Sequence, residues 1–132
     1  MATILLAEDD AAIRETTADL LMLSGAQVHA VHSGHEAARF LEEHQADLII
    51  TDIAMPDGDG NWLLRHVRSV PRFRQIKVII LSAHADIRKV ADGLASGADA
   101  YVTKPFEPIQ FLALVERQLE NTPDRPGATA SK

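Results

Sequence analysis

The chain of 132 residues contains no cysteine, which excludes disulfide scaffolds, thiolate metal sites and cysteine nucleophiles. Long hydrophobic runs are also missing. Apolar runs such as residues 20–23 and 78–81 are a few residues long, far short of the ~20 that span a bilayer. The start, Met1-Ala2-Thr3-Ile4, has neither a basic n-region nor an extended apolar stretch, so no secretory signal is expected. Positive charge is in deficit. Against 19 Asp and Glu stand 13 Lys and Arg, a net charge of −6. That balance disfavours a surface that neutralises nucleic-acid phosphates, and no DNA-reading motif is present. The expected class is a soluble, cytoplasmic domain with no membrane or direct nucleic-acid contact. Apolar residues, at 46%, suffice for a core, and the length suits one domain.

The acidic excess is unevenly placed. Glu8, Asp9 and Asp10 form one cluster; Asp52, Asp57 and Asp59 form another. Without those six, acids and bases balance at 13 each. The excess therefore sits in two short segments far apart in sequence, a first sign of a site.

Short apolar runs alternate with amphipathic stretches. The runs are Ile4-Leu5-Leu6-Ala7, residues 27–31, Leu48-Ile49-Ile50-Thr51, Val78-Ile79-Ile80-Leu81 and Ala100-Tyr101-Val102. Between and after them lie helical stripes: Ile13, Thr17, Leu20, Leu21 and Leu23; Ala37, Phe40 and Leu41; Trp62, Leu63, Leu64 and Val67; Ile87, Val90, Ala91 and Leu94; Phe111, Val115 and Leu119. Gly25 is expected to end the first helix, Ser33 to cap the second and Gly97 to end the fourth. Five strands alternating with five helices, the strands apolar enough for cover on both faces, imply a parallel three-layer α/β sheet. Working sites in such sheets lie at the carboxyl ends of the strands. Glu8, Asp9 and Asp10 follow the first strand and Asp52 closes the third. If those strands are neighbours, the carboxylates converge on one rim. Residues 121–132, rich in Pro, Gly, Ala and Thr, are expected to form a flexible tail or the start of a linker after a domain spanning 1–120.

Carboxylates gathered without basic neighbours repel and raise one another's pKa values. A hard divalent cation relieves this, and Mg²⁺ suits an open rim. Ser82, ending the fourth strand, offers a hydroxyl, and Lys104, before Pro105, offers a cation. Carboxylate, metal, hydroxyl and ammonium together suit the binding or transfer of a phosphoryl group.

Four blocks carry a resemblance: Ile4-Leu5-Leu6-Ala7-Glu8-Asp9-Asp10; Asp52-Ile53-Ala54-Met55-Pro56-Asp57-Gly58-Asp59-Gly60; Leu81-Ser82-Ala83; and Tyr101-Val102-Thr103-Lys104-Pro105-Phe106. With intervals of 43 from Asp9 to Asp52, 30 from Asp52 to Ser82 and 22 from Ser82 to Lys104, residues 3 to about 120 resemble the receiver domain of two-component response regulators. The resemblance implies a flavodoxin-like (CheY-like) doubly wound α/β fold, with five parallel strands in the order 2-1-3-4-5 and five helices. It implies that Asp52 accepts a phosphoryl group from a sensor histidine kinase or phosphotransfer protein. Asp9, Asp52 and the Ala54 backbone carbonyl would bind Mg²⁺, with Glu8 acting directly or through water. Lys104 would pair with a phosphoryl oxygen, Ser82 would hydrogen-bond another, and Tyr101 would turn inward as Ser82 moves. The switch would be read by a downstream protein or output domain on the face of the fourth helix, fifth strand and fifth helix (α4-β5-α5), where a homodimer could also form. Such a protein is a switch with self-catalysed phosphorylation and dephosphorylation rather than an enzyme. Ala54 and His84 occupy positions that in this family influence hydrolysis of the phosphorylated form. The Lys104-Pro105 junction resembles the family's cis-proline.

Other features have plainer readings. Asp10 is expected to cap the first helix, and Asp57-Gly58-Asp59-Gly60 reads as a turn rather than a calcium loop. Met55 and Pro56 set loop shape. His29, His32 and His35 straddle a strand end and a turn, so they are expected as surface histidines. Arg65, Arg68, Arg72, Arg74 and Lys77 form a basic stretch, read as a solvated face with partner binding as the sharper alternative. Ile109, Leu112 and Leu114 are apolar beyond the core stripe and either pack on the fourth helix or form a dimer or partner surface. Uncharged Ala100, Gln110, Leu114 and Asn121 weigh against the ion-paired dimer of the winged-helix class. One alternative is a receiver fragment of a larger regulator whose output domain is missing. Another is a flavin-binding electron carrier of the same fold, disfavoured because Glu8-Asp9-Asp10 would repel a phosphate. An aspartyl-phosphate hydrolase would carry a second aspartate where Ala54 stands.

Overall fold

The computed structural model describes residues 1–83, 91, 92 and 94–120. Five strands, β1 (Thr3–Ala7), β2 (Gln27–Val31), β3 (Leu48–Asp52), β4 (Lys77–Ser82) and β5 (Ala100–Thr103), make one parallel sheet in the order β2-β1-β3-β4-β5. Among the described residues the α-helices are α1 (Ala11–Met22), α2 (Gly34–Glu43), α3 (Gly60–Ser69) and a C-terminal helix (Pro108–Glu120), with a 3-10 turn at Pro71–Phe73. The expected fourth helix falls largely outside the described residues. Ala91, Asp92, Leu94 and Ala95 are helical, and Gly97 ends the turn at φ 104°. His84 and the expected tail at 121–132 also lie outside the described residues.

Alternation along the strands divides the core in two. Ile4, Leu6, Leu48, Ile50, Ile79 and Leu81 pack with Leu21 of α1 and with Phe111, Val115 and Leu119 of the C-terminal helix. Leu5, Ala7, Ile49, Val78 and Ile80 point to the other face, against Ala37 and Leu41 of α2 and Leu63, Leu64 and Val67 of α3. This is the period-2 geometry of strands sandwiched between helical layers. Each fully buried Leu or Ile contributes about 1.5–3 kcal/mol by leaving water. Cover on both faces is achieved in the middle of the sheet only. β3 is buried throughout, whereas edge strand β2 exposes Gln27, His29 and Ala30 and edge strand β5 is half-buried.

The stripe expected on α1 narrows in the structure. Thr17 and Leu21 are buried, but Ile13 is 40% exposed and Leu23, the residue just beyond the last helical turn, is 75% exposed. Gly25 at φ 85° turns the chain there. The other expected stripe, Phe111, Val115 and Leu119, is buried, and Leu114 packs beside it while Ile109 stays exposed. Helix starts follow their caps. Asp10 accepts from the Ile13 amide at 3.0 Å, Ser33 from Glu36 at 3.0 Å and Asp59 from Trp62 at 2.8 Å, each satisfying one orphan donor.

Candidate functional site

The strand order places β1 beside β3, with Ala7 opposite Thr51. The next residues along the two strands, Glu8 just past β1 and Asp52 closing β3, therefore reach the rim together. Carboxylate oxygens of Glu8, Asp9 and Asp52 lie within 4.8 Å of one another. Asp9 is exposed, but Glu8 and Asp52 are only 2% and 8% exposed, rare for carboxylates without a purpose.

Local bonding fixes each group. The Glu8 amide donates to the Val31 carbonyl at 3.0 Å, extending the β1–β2 ladder by one residue. The Asp10 amide donates to a Glu8 carboxylate oxygen at 3.2 Å, and Arg14 reaches back from α1 to the Glu8 carbonyl at 2.9 Å. The Asp52 carboxylate accepts from the Ile53 amide at 3.1 Å. Gly60 comes so close that a Cβ there would lie 2.5 Å from the Asp52 carbonyl oxygen. Only glycine lets the start of α3 abut the end of β3 this tightly.

The cation arrives from the far side. The Lys104 amide donates to the Ser82 carbonyl at 2.6 Å, and the Lys104-Pro105 bond is cis, as the resemblance implied. The Lys104 Nζ lies 3.1 Å from Glu8 Oε1 and 3.3 Å from Asp52 Oδ1. Burial raises the Glu8 carboxyl above its usual range, aided by the charge of Asp52 and opposed by bonds from the Asp10 amide and Lys104. Burial alone would lower the Lys104 ammonium. Its bond to Glu8 and the charges of Asp52 and Glu8 outweigh that and raise it.

Ser82 ends β4 buried, one residue beyond the Leu81 that pairs with Asp52. Tyr101 of β5 packs partly buried against the core on the α2–α3 side. Ala54 is exposed in the β3–α3 loop, between buried Ile53 and Met55. Thus Glu8, Asp9, Asp52 and Lys104 form one cluster, with Ser82 at the adjoining strand end and Ala54 two residues past Asp52. An all-oxygen set with three carboxylates and one ammonium leaves net negative charge at a partly open rim. That donor chemistry fits Mg²⁺ and no soft metal.

Three residues matter more than their sequence context suggested. Nothing in the sequence around Arg14 points to its bond with the Glu8 carbonyl. Arg68, one of the basic stretch, donates five hydrogen bonds to the carbonyls of Arg74, Ile76 and Gly97 and to Asp99. Lys77 also faces Asp99, at 3.7 Å, and Arg72 pairs with Glu42. Much of the basic stretch is thus internally neutralised. His35, expected as a surface histidine, bonds Asp57 at 2.7 Å. His29 stacks on Phe40 and His32 meets Glu36, so the three histidines have three separate partners.

No helix among the described residues is long and apolar enough to cross a membrane. The sequence profile described as "Response regulator receiver domain" matches residues 4–116. The transcriptional regulatory protein GltR of Pseudomonas aeruginosa is 39% identical over 117 residues, which are 89% of this chain and 48% of that protein. The virulence transcriptional regulatory protein PhoP of Salmonella typhimurium is 37% identical over 116 residues, 88% of this chain and 51% of that one. The chain therefore spans about half the length of these curated relatives. Among solved structures, the signal receiver domain of a signal transduction histidine kinase from Syntrophus aciditrophicus is similar with a TM-score of 0.87, 36% identity and 95% coverage of both chains. A CheY-like receiver domain protein from Methanospirillum hungatei gives a TM-score of 0.85 at 28% identity, covering 92% of this chain and 96% of that one. With the profile spanning most of its length and the acidic rim in place, the chain belongs to the response regulator receiver domain family of two-component systems.

Proposed function

We propose that Asp52 accepts a phosphoryl group from a histidine kinase or phosphotransfer protein, with Mg²⁺ bound by Glu8, Asp9, Asp52 and the Ala54 carbonyl. The observation that carries this reading is the placement of Lys104, with its Nζ 3.1 Å from Glu8 and 3.3 Å from Asp52 in a cluster of three carboxylates. An Asp52 carboxylate oxygen attacks phosphorus as the bond to the donor's leaving atom breaks. The leaving imidazole keeps the electron pair, and an acyl phosphate forms. When bound, Mg²⁺ neutralises charge on the phosphoryl oxygens. Lys104 is held by its two carboxylate partners at the place where a phosphoryl oxygen would arrive, and charge stabilisation is its role. Ser82 then hydrogen-bonds a second oxygen. Phosphorylation adds about −1.5 to −2 charges, and the resulting shift passes through Ser82 and Tyr101 to the face of the fourth helix, β5 and the C-terminal helix. The protein is a switch and not a turnover enzyme. Residues 1–120 form the receiver, and 121–132 a tail or linker. The output is a separate protein or a domain outside this sequence, in keeping with relatives about twice as long.

Intact mass after incubation with acetyl phosphate tests the reading. One added phosphoryl mass is expected, dependent on Mg²⁺ and lost in Asp52→Asn. If no adduct forms and a beryllofluoride–Mg²⁺ mimic also leaves the protein unperturbed, the reading is wrong.

A further inference from the structure

The β3–α3 loop, residues 53–59, carries the Ala54 carbonyl, and its far end is fastened to the start of α2. The Gly34 amide donates to the Gly58 carbonyl at 2.8 Å and the His35 amide to the Asp57 carbonyl at 3.1 Å. The His35 Nδ1 meets Asp57 Oδ1 at 2.7 Å. The approach is close enough that a Cβ on Gly34 would lie 2.4 Å from the Gly58 oxygen. Asp57 takes φ 61°, a left-handed conformation unusual outside glycine, and is kept there by these bonds. The Trp62 ring of α3 stands edge-on to His35, with centroids 4.4 Å apart.

We propose that His35 is a positioning residue whose bond to Asp57 clasps the loop to α2 and so sets the placement of Ala54. The inference rests on the receiver reading, because Ala54 matters there as a metal ligand. His35 is held between Asp57 of the loop and Trp62 of α3, itself stacked on His66, while the charge of Arg39 on α2 acts on Asp57. Asp59 is occupied as the cap of α3, and Glu36 lies against His32. The bond to His35 is also the main reason Asp57 is held below the usual aspartate range.

Hydrogen exchange of the Gly34 and His35 amides reads the clasp directly, since both donate to the loop. Because the pair is exposed, protection factors are expected to fall only about two- to five-fold in His35→Ala and in Asp57→Gly, while β3 amides behave alike in all forms. Both variants should bind Mg²⁺ about two- to three-fold more weakly than the parent, by calorimetric titration. Unchanged protection of the Gly34 and His35 amides in His35→Ala overturns the clasp. Equal Mg²⁺ affinities in all three proteins overturn the positioning role. Failure of every form to bind Mg²⁺ would count instead against the receiver reading, with exchange still reporting on the clasp.

Discussion

At the carboxyl ends of the strands, Glu8 and Asp52 share one cation, Lys104, with the Asp9 carboxylate clustered beside them. At the amino ends of β4 and β5, Arg68 and Lys77 share one carboxylate, Asp99. Both clusters are partly buried, but their surroundings differ. Arg68 directs its hydrogen bonds to three backbone carbonyls as well as to Asp99, and Asp99 also accepts from the Val78 amide at 2.8 Å. Arg68 ties α3 to the segments entering β4 and β5. At the acidic rim one ammonium pairs with two of three clustered carboxylates, and burial further penalises the charge of Glu8. A cluster with its groups satisfied holds the fold together, whereas a cluster left short of positive charge is poised to take up a cation. The two respond with opposite signs when a charge is removed.

The largest effect is expected at the satisfied cluster. Arg68→Ala removes five bonds and leaves Asp99, whose side chain is 25% exposed, with the more distant Lys77 and the Val78 amide, so it should cost about 2–3 kcal/mol. Urea unfolding would show this as a lower midpoint with an unchanged slope. Phosphoryl adduct formation at temperatures where the variant is folded should persist, because Arg68 does not touch the rim. A cost below about 0.5 kcal/mol would mean that the bonds add little beyond what water supplies.

At the rim the sign reverses. Asp9 is exposed and contributes a like charge beside Glu8 and Asp52. Asp9→Asn should therefore stabilise the metal-free protein, by about 0.5 kcal/mol after solvent screening. Mg²⁺ should raise the melting temperature of the parent, since a ligand at 100 times its Kd adds about 2.7 kcal/mol. The variant should lose most of that rise. If Asp9→Asn destabilises the metal-free protein, the rim is not short of positive charge.

The rim was legible in the sequence because its parts are local signals: carboxylates directly after apolar strands, a Lys-Pro pair after another, and capping residues at Asp10 and Ser33. One topological step, β1 beside β3, joins them. The Arg68 cluster was not legible. Its partners are mainly carbonyls, which every residue has, and Gly97 and Asp99 lie 29 and 31 positions away. In sequence, Arg68 is one more charge in a basic stretch. His35 was hidden for the same reason, since Asp57 is 22 positions away and meets it only where the β3–α3 loop folds onto α2. On α1 the apolar period runs on to Leu23, but the helix stops at Met22, three residues before the turn at Gly25, so Leu23 falls outside the buried stripe.

The finest distinction lies in pH. The Glu8 carboxyl is raised above the ordinary value of 4.5, chiefly by burial, and Asp57 is lowered below 3.8, chiefly by its bond to His35. For Glu8 the folded chain holds its proton more tightly than the unfolded chain. Below pH 4.5 both states are protonated and no stability is lost. As pH rises through the interval above 4.5, the unfolded chain releases its proton first and the folded state weakens. Asp57 acts oppositely: its contribution is present above pH 3.8 and is lost as pH falls below that value. In metal-free protein, the stability advantage of Glu8→Gln over the parent should therefore open as pH rises past 4.5. The loss in Asp57→Asn should shrink as pH falls below 3.8. Paired melting curves across pH 3 to 7 separate the two. Saturating Mg²⁺ should narrow the Glu8→Gln gap and leave the Asp57→Asn gap in place, because only Glu8 lies among the carboxylates that the cation would neutralise. A Glu8→Gln gap that opens on the acid side of 4.5 would mean that Lys104 already balances the rim, and the contrast between the two clusters would fall.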